Sequence, residues 1–532
     1  MNPVTRSGGG LPLLSVVVLV HNTAAYLREC FDSLLQQELR DIEVIAIDDG
    51  SSDGSLAICR RYEAAHPNFR CVSKPNEGGA VAGNLGIALA RGRYLALVDS
   101  DDKVTASGYR LLVQEALATG ADIAIGRAAR LTAAGLSSQT FLHEPHVWSR
   151  RRTLRSADEF PDLHQDGFYW NKVFRTAFLR EHGLGMEPGL LYADRPFVHR
   201  AYWLSACTAI IPQLVYLWRE RPVADGGSIT QNVRQAANFL DRMRSARIEW
   251  EMLREVPRAL GYRQRIAVGN LHRALHAAPG IAGSPSFRKA FMAAMQDLLA
   301  LYGDLDWSAL GARRRLCLEL IRRGEVEGLC FLLGVTGETG WIAEIDGACY
   351  WQQPFLDNPE IPLPRETMRL DFPQIGFFQL RDVRLDDGQL ALTLCLHAAI
   401  MARCEVGIEL HPLYAAGGGW LEPAGRVGEH GWRYRLDLAG VALEPGRLYG
   451  LVLHYRTHDG VHGRYRIGQK MLAPELPPSL PLCCAHGRLL DSAEAGGIGF
   501  AARPGGPGAG TGLARRPGAG PVGRRSVPLG GS

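Results

Sequence analysis

Arg93-Tyr94-Leu95-Ala96-Leu97-Val98-Asp99-Ser100-Asp101-Asp102 is a short apolar run that stops in three carboxylates within four residues. Tyr94 to Val98 has the composition of a buried strand. Carboxylates at the end of such a strand repel one another and resist leaving water unless they face a cleft and share a cation. An oxygen-only donor set of this kind suits Mg2+ or Mn2+, whose coordination substrate phosphates often complete. Read locally, the same residues also make an acidic turn before a helix starting near Thr105, because Asp is favoured at helix N-termini. The surrounding chain separates the two readings.

Upstream, Leu13 to Val20 reads as a fully buried strand, and Leu27, Phe31, Leu34 and Leu35 set helical spacing within Ala24 to Gln37. Glu43 to Ile47 is a second strand, followed by a helix reaching Ala65. Phe69 to Ser73 is a third, followed by a helix from Ala80 to Ala90. Strands alternating with helices at this spacing predict an open parallel α/β sheet. Ligands of such sheets sit beyond the carboxyl ends of the strands, where Asp49, Asp99 and Asp101 all fall. The chain has no Gly-x-x-x-x-Gly-Lys-Ser/Thr, which excludes a P-loop. Gly78, Gly79, Gly83 and Gly86 follow the third strand and not the first, which argues against a dinucleotide fold.

Four segments then carry a resemblance. They are Val16-Val17-Val18-Leu19-Val20-His21-Asn22, Asp48-Asp49-Gly50-Ser51-Ser52-Asp53-Gly54-Ser55, Asn76 with Gly83-Asn84-x-Gly86, and Asp99-Ser100-Asp101-Asp102. In this order they resemble the motifs of glycosyltransferase family 2. The resemblance implies a GT-A fold, a Rossmann-like and mostly parallel sheet, and inverting transfer of a sugar from a nucleotide diphosphate donor. It implies nucleotide-sugar contacts for Leu19, Val20, Asn22, Asp49, Asn76 and Ser100, ribose and metal contacts for Asp99 and Asp101, and direct ligation of Mn2+ or Mg2+ by Asp101. Gly83 stands where the family usually has Arg.

On the acceptor side, Trp170-Asn171-Lys172-Val173-Phe174 resembles a segment of teichoic-acid and capsule-type members that precedes the acceptor region, which implies that role for Trp170, Asn171 and Lys172. Leu191-Tyr192-Ala193-Asp194-Arg195-Pro196-Phe197 resembles the E-D-x-x-F segment with Ala193 replacing Glu, and aligns Asp194 with the catalytic base. An inverting transfer needs one carboxylate there, to take the proton of the attacking hydroxyl. The local alternative is that Asp194 caps the helix at Pro196. Tyr216-Leu217-Trp218-Arg219-Glu220-Arg221 and Gly227-Ser228-Ile229-Thr230 resemble a closing segment, implying phosphate contacts for Arg221 and Ser228.

The implied domains are a glycosyltransferase domain over 11–230, a helical linker over 231–335, an immunoglobulin-like antiparallel β-sandwich over 342–472 and a disordered tail over 476–532. The helical stretch reads as packing or oligomer contact. Alternating runs such as Met368 to Phe372 and Leu448 to Tyr455 predict the sandwich strands, and Trp420 and Trp432 read as exposed aromatics on it. The tail is Gly-, Pro- and Arg-rich with few large apolar residues. Net charge is +4 over 532 residues, too small to argue for nucleic acid, and the tail alone carries six Arg against one Asp and one Glu. The 11 Cys contain no Cys-x-x-Cys pair, which suggests reduced thiols in the cytoplasm. The start lacks a signal-peptide pattern, so any membrane contact would be peripheral, at the inner face of the cell membrane. The donor would be a nucleotide sugar, with UDP favoured, and the acceptor a polysaccharide or polyol phosphate. Homo-oligomerisation stays open. So do a non-catalytic sugar- or nucleotide-binding relative, suggested by Gly83 and Ala193, and a nucleotidyltransferase, which also uses paired carboxylates and a metal.

Overall fold

The computed structural model describes residues 11–502 except 133–134, 138–146, 149, 222–231, 255–258, 304, 309, 335–341, 347, 371–378, 387, 396–403, 413–418, 429–430, 458–461, 468–481 and 493–496. Ser228 and residues 503–532 of the expected tail therefore lie outside the described residues.

The chain opens with β1 (Leu14–Val20), α1 (Leu27–Leu35), β2 (Ile42–Asp49), α2 (Ser55–Ala65), β3 (Phe69–Lys74), α3 (Gly79–Leu89) and β4 (Tyr94–Asp99). It continues through β5 (Lys103–Val104), α4 (Gly108–Thr119), β6 (Ile123–Thr132), β7 (Gly135–Ser137), β8 (Arg152–Leu154), β9 (Lys172–Arg175), α5 (Thr176–Glu181), α6 (Asp194–Leu204) and β10 (Thr208–Arg219). The main path of the sheet is β3-β2-β1-β4-β9-β6-β10-β5. β3, β2, β1 and β4 are mutually parallel, and β10 is parallel to β6. Val16 to Val18, Val44 to Ile47 and Leu95 to Val98 are buried, because helices cover both faces, and this is why these strands read as unbroken apolar runs. The sheet is the mostly parallel α/β arrangement of the GT-A resemblance, with one interior reversal. β9 runs antiparallel between β4 and β6 because it carries the chain back from the carboxyl edge of the sheet.

Helices α7 (Ala236–Met252), α8 (Leu260–Leu275), α9 (Pro285–Tyr302), α10 (Ala312–Arg323) and α11 (Val326–Gly334) follow. None of the described helices is long and apolar enough to cross a membrane. A hairpin of β11 (Ile342–Ile345) and β12 (Ala348–Trp351) leads to an antiparallel sheet of β13 (Gln379–Asp386), β14 (Gln389–Cys395), β15 (Cys404–Pro412), β16 (Gly419–Val427), β17 (Gly431–Asp437), β18 (Leu448–Thr457), β19 (His462–Arg466), β20 (Leu482–Cys484), β21 (Gly487–Ser492) and β22 (Gly497–Ala502). β16 makes this sheet two-layered: Gly419 to Leu421 pair with β15, whereas Glu422 to Val427 pair with β17. The helices share one core with the sheet, in which Phe239, Phe291 and Leu316 belong to the same buried cluster as Trp351, Leu410 and Phe500.

Three expectations are corrected here. Of the strand expected over Met368 to Phe372, Met368 ends a 3-10 turn over Arg365–Met368 that follows Pro364, Arg369 makes a single antiparallel bridge to Tyr350, and residues 371 and 372 lie outside the described residues. Two parts of the expected disordered tail, 482–492 and 497–502, form β20 to β22, of which β22 pairs onto β18 and β21, and Phe500 is completely buried. Trp432 is half-buried with the Arg426 guanidinium 4.8 Å from its ring, whereas Trp420 is exposed.

Candidate active site

The parallel strands deliver the site by register alone. Leu19 lies opposite Asp99, and Val20 opposite Asp48. With strands about 4.8 Å apart, the ends of β2 and β4 face each other about 10 Å apart across β1. Val20 is buried and Leu19 half-buried, so β1 offers mostly main chain at this edge.

Hydrogen bonds lace the loops beyond these strands into one rim. Asn22 has a positive φ of 51°, and its Oδ1 accepts from the Ser52 N–H at 2.8 Å and the Asp53 N–H at 3.3 Å. Asp53 in turn accepts from the Ala24 N–H at 3.0 Å. The Thr23 hydroxyl meets Ser100 Oγ at 2.8 Å, tying in the β4 end, with Ser100 itself buried. Asp49 is buried and accepts from Lys74 Nζ at 2.5 Å, the Gly78 N–H at 2.8 Å and the Glu77 N–H at 3.0 Å. Burial opposes its charge, but Lys74 and these N–H groups hold its carboxyl below the usual range. Asp49 thereby fixes the turn that carries Asn76, which is exposed.

The carboxylates after Val98 have distinct surroundings. Asp99 accepts from the Tyr169 hydroxyl at 2.5 Å. Burial, then the charge of Asp101 and more weakly that of Asp194, push its carboxyl up to about 7 against the pull of Tyr169 and Arg221. Asp102 is buried, accepts from the Tyr216 hydroxyl at 2.7 Å and the Arg219 N–H at 2.6 Å, and is pushed well above the usual range by burial and its two acidic neighbours. Asp101 accepts from Arg221 Nε at 2.5 Å, and its carbonyl accepts from Arg219 Nε at 2.7 Å. Both guanidiniums lie against the Tyr26 ring, at 5.2 Å for Arg219 and 5.7 Å for Arg221. The Asp101 carboxylate is thus a place where the fold already holds a cationic group, and its hard oxygen donors fit Mn2+ or Mg2+. Among the described residues no group of three His, Cys, Asp or Glu could hold a metal unaided. Oxygen ligands from a substrate would have to complete the coordination.

Asp194 is the first residue of α6 and partly buried. Burial pushes its carboxyl up to about 6, Glu249 adds to the rise, and Arg195 and Arg242 oppose it. Its charge is felt by Asp99, Tyr169 and Lys172, so Asp194 lies near enough to the end of β4 for the two acidic groups to influence one another. Sequence reading missed Tyr169, Arg219 and Tyr26. Tyr169 had a signal, since it alternates with Phe168 and Trp170 and so points to the other side of the chain.

Trp170, Asn171 and Lys172, expected in the acceptor region, are all buried. Trp170 stacks between Phe168 at 4.9 Å and Tyr216 at 4.6 Å. Lys172 donates to Asp166 at 2.8 Å and to Asn171 Oδ1 at 2.6 Å, and Asn171 donates to the Gly126 carbonyl at 3.0 Å. A buried ammonium has to find such partners, and here it finds them inside the chain. The two departures from the family pattern are also accommodated. A Cβ at Gly83 would lie 2.0 Å from Met186 Cε, so the Met186 side chain fills that space. Beside it, Asn84 exchanges two 2.8 Å hydrogen bonds with the Met186 main chain. Ala193 is the buried N-cap position of α6.

Comparison with known proteins agrees with this geometry. The family model described as Glycosyl transferase family 2 matches residues 15–183. The glycosyltransferase GlyG of Streptococcus pneumoniae is 42% identical over 219 residues, which are 39% of this chain and 71% of GlyG. The uncharacterized glycosyltransferase EpsJ of Bacillus subtilis is 29% identical over 222 residues, which are 40% of this chain and 62% of EpsJ, under two thirds of its length. The crystal structure of S. aureus TarS superposes with a TM-score of 0.51 at 16% identity, covering 92% of this chain and 84% of TarS, a likeness of fold that extends into the C-terminal β layers. The chain belongs to glycosyl transferase family 2.

Proposed function

We propose that the chain is an inverting transferase that moves a sugar from a nucleoside diphosphate donor, UDP being the expected nucleotide, to a hydroxyl of a cell-surface polymer such as a teichoic acid or capsular polysaccharide. The observation that supports this reading is the pairing of the acidic end of β4, where Arg221 sits on Asp101 at 2.5 Å, with a carboxyl at Asp194 raised to about 6 whose charge reaches Asp99. A carboxyl group near the working pH is an efficient general base. In the reaction the acceptor oxygen bonds to the anomeric carbon, and its proton passes to an Asp194 carboxylate oxygen. The bond from that carbon to the diphosphate breaks on the opposite face, and the nucleoside diphosphate leaves with the electron pair. Mn2+ or Mg2+, held by Asp101 and the donor phosphates, would neutralise the charge that grows on the leaving group. Arg221 and Arg219 add fixed positive charge at the same end. Asp99 and the Tyr169 hydroxyl offer a polar pair for the ribose, and Asn22, Asp49 and Asn76 shape the rim where the base would lie. The polymer acceptor rests on the motif resemblance and on the β layers appended to the catalytic sheet. The expected setting is the inner face of the cell membrane.

The test incubates the full chain with UDP-, GDP- and dTDP-sugars, Mn2+ and polyol-phosphate or polysaccharide acceptors. The expected result is release of a nucleoside diphosphate together with a glycosylated acceptor of inverted anomeric configuration. Release of pyrophosphate, or donor binding without turnover across the panel, would overturn the reading.

A further inference from the structure

The segment Gly189 to Arg195, which carries Asp194, is gripped by a helix beyond the family-matched residues. The gripping residues of α7 are Asn238, Asp241, Arg242, Ser245 and Glu249, whose spacing places them on one face. The Tyr192 hydroxyl donates to Asn238 Oδ1 at 2.6 Å, and Ser245 Oγ donates to the Tyr192 carbonyl at 2.8 Å. The Leu191 N–H donates to Asp241, and the Arg242 guanidinium lies 4.7 Å from the Tyr192 ring. Glu249 meets Arg195 Nε at 3.1 Å and His199 Nδ1 at 2.8 Å. Residues on both sides of Asp194 are therefore fixed by one helix face, while Asp194 itself stays partly exposed. Asn238, Ser245 and Glu249 are all buried. A helix used only for packing gains nothing by burying three polar side chains, since each must be matched by a partner. Here the partners are the main chain and side chains around Asp194.

We infer that α7 is a positioning element of the active site, and that its polar face sets the direction of the Asp194 carboxylate. Asn238, Ser245 and Glu249 are positioning residues, acting through Tyr192 and Arg195. The inference rests on the reading of Asp194 as the base. The charged and titratable groups facing Asp194 include Arg195 and Tyr192 on its own segment and Asp99 at the end of β4. Tyr169 faces it from the chain before β9, Lys172 from the start of β9, and Arg242 and Glu249 from α7. Arg242 holds the Asp194 carboxyl down and Glu249 holds it up, so the same face also tunes the base.

The experiment compares Ser245→Ala, Asn238→Ala and Arg242→Gln in the full chain. Misplacement of a reacting group by about 1 Å costs roughly 10²-fold. The expected result for the first two variants is a kcat loss of roughly 10- to 100-fold at unchanged donor KM and unchanged UDP binding with Mn2+. Arg242→Gln should move the acid limb of the kcat profile to higher pH, and Arg242→Lys should restore it. A lower Tm with wild-type kcat for both alanine variants, and an unmoved acid limb for Arg242→Gln, would overturn the inference. Asp194→Asn separates the two readings. If it keeps full transfer, the base assignment fails. If it abolishes transfer while the α7 variants behave as wild type, only the role of α7 fails.

Discussion

The acidic end of β4 and the polar cluster where α6 meets α7 are built in opposite electrostatic senses. At the β4 end Asp99, Asp101 and Asp102 crowd within four residues, and Asp99 and Asp102 are pushed up by burial and mutual repulsion. At the α6 end Arg195, Arg242 and Arg273 converge with Asn270 around a single buried carboxylate, Glu249, in a small polar cavity. Glu249 pays for its burial with contacts to Arg195 and His199, which together hold it well below the usual range, while Arg273 is pushed well below its own range. The first end sets three carboxylates against the guanidiniums of Arg219 and Arg221, a mixture that suits a cation and a diphosphate arriving together. The second is already paired internally and suits a scaffold. Asp194 takes its raised carboxyl from burial and Glu249, with Arg195 and Arg242 opposing, and its charge in turn reaches Asp99.

The largest effect that would break this contrast is at Asp194. Asp194→Asn should lower kcat by roughly 10²- to 10⁴-fold, the usual worth of a general base, while UDP binding survives. The wild-type profile should fall as pH drops through about 6, because the raised carboxyl is protonated below that value and cannot accept the proton. Transfer that stays flat down to pH 4.5 would remove Asp194 from the base role.

Next is the scaffold end. Glu249→Gln leaves buried guanidiniums without their carboxylate and should destabilise the fold by about 3–5 kcal/mol, read as a lower Tm in calorimetry. Because the Glu249 carboxyl is depressed, its contribution is present above its ordinary value of 4.5 and is lost only in stronger acid. An unchanged Tm would show that this end does not depend on the pairing.

The smallest effect is expected at the acidic end. Asp101→Asn should lower kcat by roughly 10²-fold and flatten the Mn2+ dependence of UDP binding, with little change in Tm. If UDP binding kept its full Mn2+ dependence, the cation would be held elsewhere.

Much of the catalytic sheet was legible from the residues in order. β1 to β4 are buried on both faces, so their apolar runs are unbroken, and the acidic segments end them abruptly. Asn22, Asp49, Asp99 and Asp194 could be singled out because each belongs to a short local pattern. Trp170, Asn171 and Lys172 also formed a pattern, but one of burial, and a buried lysine cannot be told from a reaching one until Asp166 is seen beside it. Residues 482–502 looked unfit for structure because their glycines and small side chains hide what pairing onto β18 supplies. The polar face of α7 was passed over as packing, since its periodicity says only that one side is buried.

By itself the chain's order of residues determined the α/β sheet, the family and the acidic groups at the carboxyl edge of the sheet. Those features follow from neighbours in sequence and from strand periodicity, which act over a few residues. Only the folded molecule decided that Arg221 sits on Asp101, that Met186 fills the space at Gly83, and that α7 braces Asp194. Such contacts join residues as far apart as 120 positions, and no local propensity encodes them. They arise when buried charges and polar groups find their partners as the layers close.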